Sequence, residues 1–213
     1  MYAEQLDNDA TFVTEAEYLA FADTQETKYE YRNGEIIAMS GGSVRHGVVT
    51  MNMGTHLNNL IGERDCSVTS PDVRVYSEAM STYRYPDVTV FCGDPAYLEG
   101  RTDTITNPVL LVEVSSPGTA AIDHEDKLGE YTSLDSLQTY VLVSQDKAKV
   151  QVYRRQAAGN WLYSSVTGLE AEISVSVDGA EFSLSLAQIY RRVRWDEESA
   201  PSQPSDADEP SAD

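Results

Sequence analysis

The chain has 213 residues, of which 41% are hydrophobic and 23% are charged, and this composition is typical of one globular domain with a core of its own. No apolar run approaches the roughly 18 residues that a membrane-spanning helix needs, so the sequence excludes that class of protein. The formal net charge of −20 excludes a uniformly basic surface. Any contact with nucleic acid therefore needs cations that are gathered at one site or supplied by metal ions.

The N-terminal sequence and the cysteines bear on the compartment. The first residues carry acids where a signal peptide has positive charge and an apolar centre, so we expect a cytoplasmic protein. Cys66 and Cys92 match no metal-binding spacing. In a reducing cytoplasm we expect them to be packed thiols rather than a disulfide.

The C-terminal residues differ in composition from the rest. Residues 196–213 contain seven acids and no Lys or Arg, together with several Pro and Ser residues. Such a segment buries too little apolar surface to fold. We therefore predict one domain over residues 1–194 and a disordered acidic tail over residues 195–213.

The first third of the chain contains three local folding signals. Thr14 followed by Glu17 has the pattern of a capping box, which predicts a short helix. Asn33 and Gly34 lie between two β-rich runs and predict a hairpin. Ser43 precedes a predicted helix of about 17 residues. Its apolar residues at helical spacing are Val49, Met53, Leu57 and Leu60.

Strand patterns dominate the rest of the chain. Residues 73–77 and 83–91 predict an antiparallel pair, and residues 109–116 predict the most apolar and central strand. A helix over residues 122–134 follows, and then a hairpin that turns at residues 145–148. Two further strands, WLYSSV and EISVSV, and a closing helix, LAQIYRRV, complete the domain. The predicted fold class is α/β (α+β), with a mixed central sheet flanked by helices.

Two acids interrupt apolar strands. Glu113 lies inside the central strand, and Asp87 follows a proline at the start of another. A buried carboxylate without a partner costs several kcal/mol. Two carboxylates on neighbouring strands repel each other unless a divalent cation lies between them, and oxygen ligands favour Mg²⁺ or Mn²⁺. One turn into the next helix, Lys127 is within reach of such a site.

The choice of the first acid depends on strand register. Asp72 also follows a proline, and a hairpin turning near residue 80 brings Asp72 almost opposite Asp87. A shift of one residue decides whether the two share a face. The residues alone leave this choice open.

Three motifs together resemble a known superfamily. Pro86-Asp87, the EVSS of residues 113–116 and the DxxxKxxxY pattern of residues 123–131 are similar to those of the PD-(D/E)XK restriction-endonuclease-like superfamily, and more narrowly to the Uma-two family. The resemblance implies a restriction-endonuclease-like core and a metal-dependent phosphodiesterase site. Asp87, Glu113 and the backbone carbonyl of Val114 would hold the metal.

The resemblance also implies roles for other residues. The superfamily's lysine usually lies two residues after the glutamate, where this chain has Ser115, and the narrower family implies Lys127 instead. Glu30 and His46 match family positions near the site, with Glu35 as a weaker candidate. The alternatives are purely structural roles: Lys127 pairs with Asp123 on the helix surface, and Tyr131 belongs to the core.

These observations lead to one leading functional hypothesis. It is a Mg²⁺-dependent (or Mn²⁺-dependent) endonuclease that hydrolyses phosphodiester bonds of nucleic acid, with DNA preferred to RNA, and that acts as a homodimer. The alternatives are a non-catalytic binding or assembly module on a nuclease-like scaffold and a metal-dependent hydrolase of small nucleotides.

Overall fold

The computed structural model describes residues 12–39, 41–115 and 122–195, with the side chains of residues 122–125 and 158 left out. The predicted tail lies outside the described residues except for Trp195, and its predicted disorder and the domain boundary at Arg194 stay predictions. None of the described helices is both long and apolar enough to cross a membrane.

The described part of the chain contains four α-helices. They are α1 (Glu15–Ala22), α2 (Val44–Ile61), α3 (Ile122–Thr132) and α4 (Leu186–Ile189). The capping box is confirmed, because the Thr14 side chain accepts from the amide of Glu17 while the Glu17 carboxylate accepts from the amide of Thr14. Ser43 caps α2 as predicted, and its hydroxyl accepts from the amide of His46. The closing helix is shorter than predicted and is a single turn.

The strands of the described residues form three sheets. They are β1 (Tyr29–Arg32), β2 (Glu35–Ala38), β3 (Cys66–Thr69), β4 (Arg74–Ser77), β5 (Thr82–Arg84), β6 (Val88–Cys92), β7 (Thr104–Ile105), β8 (Pro108–Ser115), β9 (Thr139–Ser144), β10 (Lys149–Arg155), β11 (Trp161–Thr167), β12 (Glu172–Val177) and β13 (Ala180–Ser185). The six-stranded sheet has the order β11-β10-β9-β8-β6-β3, and the five-stranded sheet has the order β2-β1-β5-β4-β7. Strands β12 and β13 form a separate hairpin.

Strand β8 is interior to the six-stranded sheet, as its apolar sequence predicted. It pairs parallel with β9 and antiparallel with β6, so the sheet is mixed. Its even-numbered residues Leu110, Val112 and Val114 join the cluster that includes the buried face of α2. On the other face Leu111 packs with Tyr131 of α3. The two faces of β8 are therefore covered by different helices.

The prediction of one continuous strand over residues 83–91 is wrong. The segment divides at Tyr85 and Pro86 into β5, which pairs with β1 and β4, and β6, which pairs with β3 and β8. Proline has no amide hydrogen for a sheet ladder, and it favours an extended residue before it. The chain uses this break to pass from one sheet to the other.

The prediction of free thiols is also wrong. Cys66 and Cys92 lie directly opposite each other in the antiparallel pair of β3 and β6, and a disulfide joins them. A separation of 26 residues in sequence conceals a register that brings the two side chains onto one face.

Strands β3, β7 and β13 are not among the elements predicted from the sequence. The turn between β12 and β13 carries a signal, because Asp178 and Gly179 both have positive φ angles, 49° and 70°. An Asp-Gly pair between two alternating runs is a hairpin pattern. The same type of turn at Asn33-Gly34 joins β1 to β2 as predicted.

Candidate metal and catalytic site

Asp87 and Glu113 lie next to each other at the junction of β6 and β8. The antiparallel register pairs Val88 with Val112. Asp87 comes one residue before β6, so the ladder continues to a position across from Glu113. The Oδ2 atom of Asp87 accepts a hydrogen bond of 2.7 Å from the amide of Val114. The two acids and the backbone of Val114, which the motifs placed together, are therefore neighbours.

Lys127 and Tyr131 reach Glu113 from α3. The Lys127 Nζ lies 3.0 Å from Oε1 of Glu113, and the Tyr131 hydroxyl donates to the same oxygen at 2.6 Å. Residues four apart lie on one face of a helix, which explains why both side chains meet one carboxylate. Lys127 thus faces the strand carboxylate, while the side chain of its alternative partner, Asp123, lies outside the described side chains.

The carboxyl of Glu113 holds its proton more tightly than an ordinary glutamate does. Burial raises its pKa to about 7, Lys127 acts against this, and the negative charges of Asp87 and Glu30 add to the rise. One ammonium group does not offset the burial of several carboxylates. A further positive charge at this point would restore the ionised form.

His46 lies beside Asp87 in the first turn of α2. Its Nε2 is 3.2 Å from Oδ2 of Asp87. The hydrogen bond to Asp87 raises the pKa of His46 above its ordinary value although partial burial opposes the rise, and the Glu113 charge and the backbone of Val114 also favour the protonated ring. His46 therefore contacts Asp87 from α2, while Lys127 and Tyr131 contact Glu113 from α3.

Glu30 is near the site, but an arginine holds its carboxylate. Arg84 Nη1 donates to Oε2 of Glu30 at 2.7 Å, and the amide of Tyr85 donates to Oε1 at 3.1 Å. Burial alone would raise the pKa of Glu30, but the charges of Lys127 and Arg84 lower it below its ordinary value. Glu30 therefore stays ionised beside the two acids without sharing their hydrogen bonds.

The other side of Arg84 contacts Glu130 of α3. Nε and Nη2 of Arg84 donate to the two carboxylate oxygens of Glu130 at 2.7 and 2.8 Å, and both side chains are buried. Neither Arg84 nor Glu130 is among the site residues predicted from the sequence. The available signal was an arginine inside the run of tyrosines in YRYP, since a buried guanidinium needs carboxylate partners.

Two sequence candidates lie outside this cluster. The exposed carboxylate of Asp72 accepts from Lys28 and from the hydroxyl of Ser70. The break at Pro86 ends the hairpin register that would have continued to an Asp72–Asp87 pair. Glu35 is exposed and pairs with Arg32 at 3.2 Å. Neither carboxylate shares a contact with Asp87 or Glu113 among the described residues.

The cluster has an excess of negative charge. Four carboxylates face two permanent cations and one histidine; they are Glu30, Asp87, Glu113 and Glu130 against Arg84, Lys127 and His46. In the described part of the chain, no group of three or more His, Cys, Asp or Glu side chains is arranged to hold a metal ion. Two carboxylates and a carbonyl, the set that the motifs implied, are what the site offers.

Comparisons with known proteins agree with these motifs. The profile of the Uma2 family, which carries the description "Putative restriction endonuclease", matches residues 15–187. Two similar proteins come from Synechocystis sp. (strain PCC 6803) and are each 34% identical to the chain. "Uncharacterized protein sll1609" matches over 164 residues, 77% of this chain and 93% of the relative. "Uncharacterized protein slr1290" matches over 175 residues, 82% of this chain and 90% of the relative.

A solved structure has a similar fold. It is described as "a putative nuclease belonging to DUF820 from Anabaena variabilis ATCC 29413". It superposes with a TM-score of 0.68 at 20% identity and covers 84% of this chain and 97% of that chain. The likeness confirms the predicted α+β fold class.

Proposed function

The chain belongs to the Uma2 family, and from this premise we propose that it is a Mg²⁺-dependent endonuclease that hydrolyses phosphodiester bonds of nucleic acid, with DNA preferred to RNA. One observation carries the proposal: the carboxylates of Asp87 and Glu113 adjoin each other, with the amine of Lys127 bonded to the second. Carboxylates, an amine and a raised acid pKa in one cluster are typical of a hydrolytic site.

The donor set is suited to Mg²⁺. Among the described residues, the hydrogen bonds to Glu113 go to Oε1 and those to Asp87 go to Oδ2. Their second oxygens are therefore left for a cation, with the carbonyl of Val114 as a third oxygen donor. Protein sites for Mg²⁺ commonly use one or two carboxylates together with water and substrate phosphate. The negative excess of the cluster favours the same occupant.

The chain's own residues have separable roles in this proposal. A Mg²⁺ ion, when bound, supplies a Lewis acid for a phosphate oxygen and lowers the pKa of a bound water. Lys127 stabilises the added negative charge on the phosphate as the water attacks. Tyr131 and Lys127 fix the orientation of the Glu113 carboxylate, while His46, oriented by Asp87, contacts a phosphate oxygen or orients the water.

Arg84 is a positioning residue in the same proposal. Its bonds to Glu30 and Glu130 join β5, β1 and α3. Since α3 also carries Lys127, this buried ion pair fixes the distance between the amine and Glu113. Glu30 then acts on the site through its charge, either alone or through a water.

Cleavage assays test the proposal directly. Plasmid DNA, single-stranded DNA, RNA and free nucleotides are each incubated with and without Mg²⁺ or Mn²⁺. Polymer cleavage that needs the metal, is absent in Asp87→Asn and Lys127→Ala and persists in the control Asp72→Asn supports the endonuclease. Intact polymers with hydrolysed nucleotides would point instead to the small-nucleotide hydrolase.

A non-catalytic scaffold is the second candidate, and one observation favours it. Each carboxylate of the pair already accepts hydrogen bonds from protein groups, so the site satisfies itself without a metal. If this candidate is correct, neither the wild type nor Lys127→Met cleaves any of the polymers, and divalent ions leave the melting temperature unchanged.

We also infer a cytoplasmic homodimer, in which two-fold symmetry places one site on each strand of a duplex. The Cys66–Cys92 pair provides a test of the compartment, because cytosolic disulfides are rare. Thiol alkylation of protein trapped in intact cells measures the redox state of this pair. Sedimentation velocity on the purified protein measures the assembly state.

A further inference from the structure

Three segments that are far apart in sequence bring cations onto one surface. They are the first turn of α2, the β9–β10 turn and the residues after α4. We define the C-terminal cation surface by six side chains: Arg45, Lys147, Lys149, Arg191, Arg192 and Arg194. They are six of the fifteen Lys and Arg residues of a chain with a net charge of −20.

Hydrogen bonds from side chains to backbone carbonyls hold the three segments together. The Tyr190 hydroxyl donates to the carbonyl of Lys149 at 2.8 Å, and the indole of Trp195 donates to the carbonyl of Gln145 at 3.1 Å. From α2, the Asn52 amide donates to the carbonyl of Arg191 at 2.8 Å. The arginines between Tyr190 and Trp195 are thus fixed in place at both ends.

The described residues of the three segments contain few acids. Residues 44–52, 144–149 and 190–195 contain one acid, Asp146, which lies 3.6 Å from Arg45. Lys147, Arg191, Arg192 and Arg194 are exposed, and none of them forms an ion pair with an acid of the described residues. The other arginine pair of the sequence behaves differently: Arg154 pairs with Glu181, and Arg155 donates to three backbone carbonyls.

Arg192, in the segment after α4, has an unfavourable backbone conformation. Its φ angle is 64°, in the left-handed region that favours glycine. A residue with a bulky side chain in this region is strained, and such strain concentrates at functional positions. A glycine or asparagine here would fit the turn better but would remove an exposed charge.

The surface adjoins the candidate site. The Ser43 hydroxyl, at the start of α2, donates to Oε1 of Gln145 at 2.7 Å in the β9–β10 turn. His46, one turn along α2, contacts Asp87. The first turn of α2 therefore links the cations to the candidate site.

We propose that the C-terminal cation surface binds the phosphate backbone of the nucleic acid that the adjacent site cleaves. This proposal rests on the proposed function and assigns the part of the chain that holds the substrate. Exposed guanidinium and ammonium groups bind phosphates without reading bases, so the contact is independent of sequence. It also explains how a strongly acidic protein holds a polyanion: its cations are concentrated where the strand passes.

Binding is tested apart from cleavage. A fluorescein-labelled duplex is titrated with the full-length protein in EDTA at several salt concentrations, and anisotropy gives the affinity. The triple variant Arg191→Gln/Arg192→Gln/Arg194→Gln is expected to bind about tenfold or more weakly, with a salt slope shallower by about 2.7, because each phosphate contact contributes about 0.9. Single variants provide a matched pair: Arg192→Gln is expected to weaken binding, whereas Arg64→Gln, beyond the other end of α2, is not.

The outcomes separate this proposal from the proposed function. Equal affinities and salt slopes for wild type and triple variant would overturn the surface, even if wild type cleaves DNA in Mg²⁺ and Asp87→Asn does not. Loss of cleavage in Asp87→Asn with binding retained, together with the weakened triple variant, supports both. Binding that occurs only after residues 196–213 are removed would make the chain's own acids the occupant and would overturn the proposal for the whole protein.

Discussion

The ammonium group of Lys127 lies 3.0 Å from the carboxylate of Glu113, although the two residues belong to different elements, helix α3 and strand β8. Both side chains are mostly buried, at 13% and 11% exposure. The pair accounts for a carboxylate inside the most apolar strand of the chain. It also places an amine at the point where the proposed reaction adds negative charge.

Replacing Lys127 by methionine tests that role. We expect cleavage to fall by about two to three orders of magnitude, the typical loss when a group that stabilises transition-state charge is removed. Lys127→Arg keeps the charge but changes its shape, and we expect it to restore only part of the rate. Single-turnover cleavage of a labelled duplex gives the rates. A methionine variant as fast as wild type would exclude the amine from the reaction.

Metal binding is expected to depend on the two strand acids. Mg²⁺ should raise the melting temperature of wild type and of Asp72→Asn, because a ligand that binds only the folded state stabilises it by mass action. Asp87→Asn and Glu113→Gln should lose this shift. Differential scanning calorimetry with increasing Mg²⁺ measures it. Equal shifts in all four proteins would place the ion elsewhere.

Breaking the buried ion pairs of Arg84 is expected to destabilise the fold. Arg84→Met leaves Glu30 and Glu130 buried without their cation, and removal of one partner of a buried pair costs about 3–5 kcal/mol. Adding Glu30→Gln and Glu130→Gln to the same chain should recover much of this loss. Urea denaturation of the wild type, Arg84→Met and the triple variant measures the free energy of unfolding. An Arg84→Met protein with the same free energy of unfolding as the wild type would contradict the prediction.

Affinity for Mg²⁺ is expected to rise with pH. Burial raises the pKa of Glu113 to about 7 from an ordinary value of 4.5, so the folded metal-free protein holds this proton more tightly than the unfolded chain does. The stability that the proton provides is complete below about 4.5 and is lost as the pH rises through about 7. The metal competes with the same proton, so its affinity increases over this range.

Titration calorimetry between about pH 6 and 8 measures how the affinity for Mg²⁺ depends on pH. Urea denaturation without metal measures how the stability of the protein depends on pH. Glu113→Gln should show a flatter dependence in the denaturation series. A wild-type affinity that stays constant over this range would mean that Glu113 is ionised throughout, without help from the metal.

Local signals in the sequence predicted local structure correctly. The Thr14–Glu17 capping box and the Asn33-Gly34 turn depend on residues three or fewer positions apart, and both formed as expected. The apolar run around Glu113 also predicted an interior strand from local sequence, because a strand that is buried on both faces has apolar residues at consecutive positions. Such features need no knowledge of the rest of the chain.

Long-range partners were harder to predict. The residues left Asp72 and Asp87 as alternatives, and the break at Pro86 decided the register between them. The partners of Arg84, Glu30 and Glu130, lie 54 and 46 residues away in sequence. No periodic pattern in the sequence predicts pairs at such separations. The residues themselves made Glu113 and Lys127 candidates, whereas the motif resemblance favoured Asp87 over Asp72 because it encodes a three-dimensional arrangement that a single chain's periodicity does not.

The passage of the chain between the two large sheets at residues 84–87 has a mechanical consequence. Arg84, in the five-stranded sheet, is held by the buried carboxylates of Glu30 and Glu130, and Asp87 accepts a hydrogen bond from the amide of Val114 in the six-stranded sheet. Only three peptide bonds connect Arg84 to Asp87, so a displacement of the five-stranded sheet is transmitted to Asp87. A substitution that shifts the five-stranded sheet is therefore expected to displace the carboxylate of Asp87 as well, even though it lies far from Asp87 in sequence.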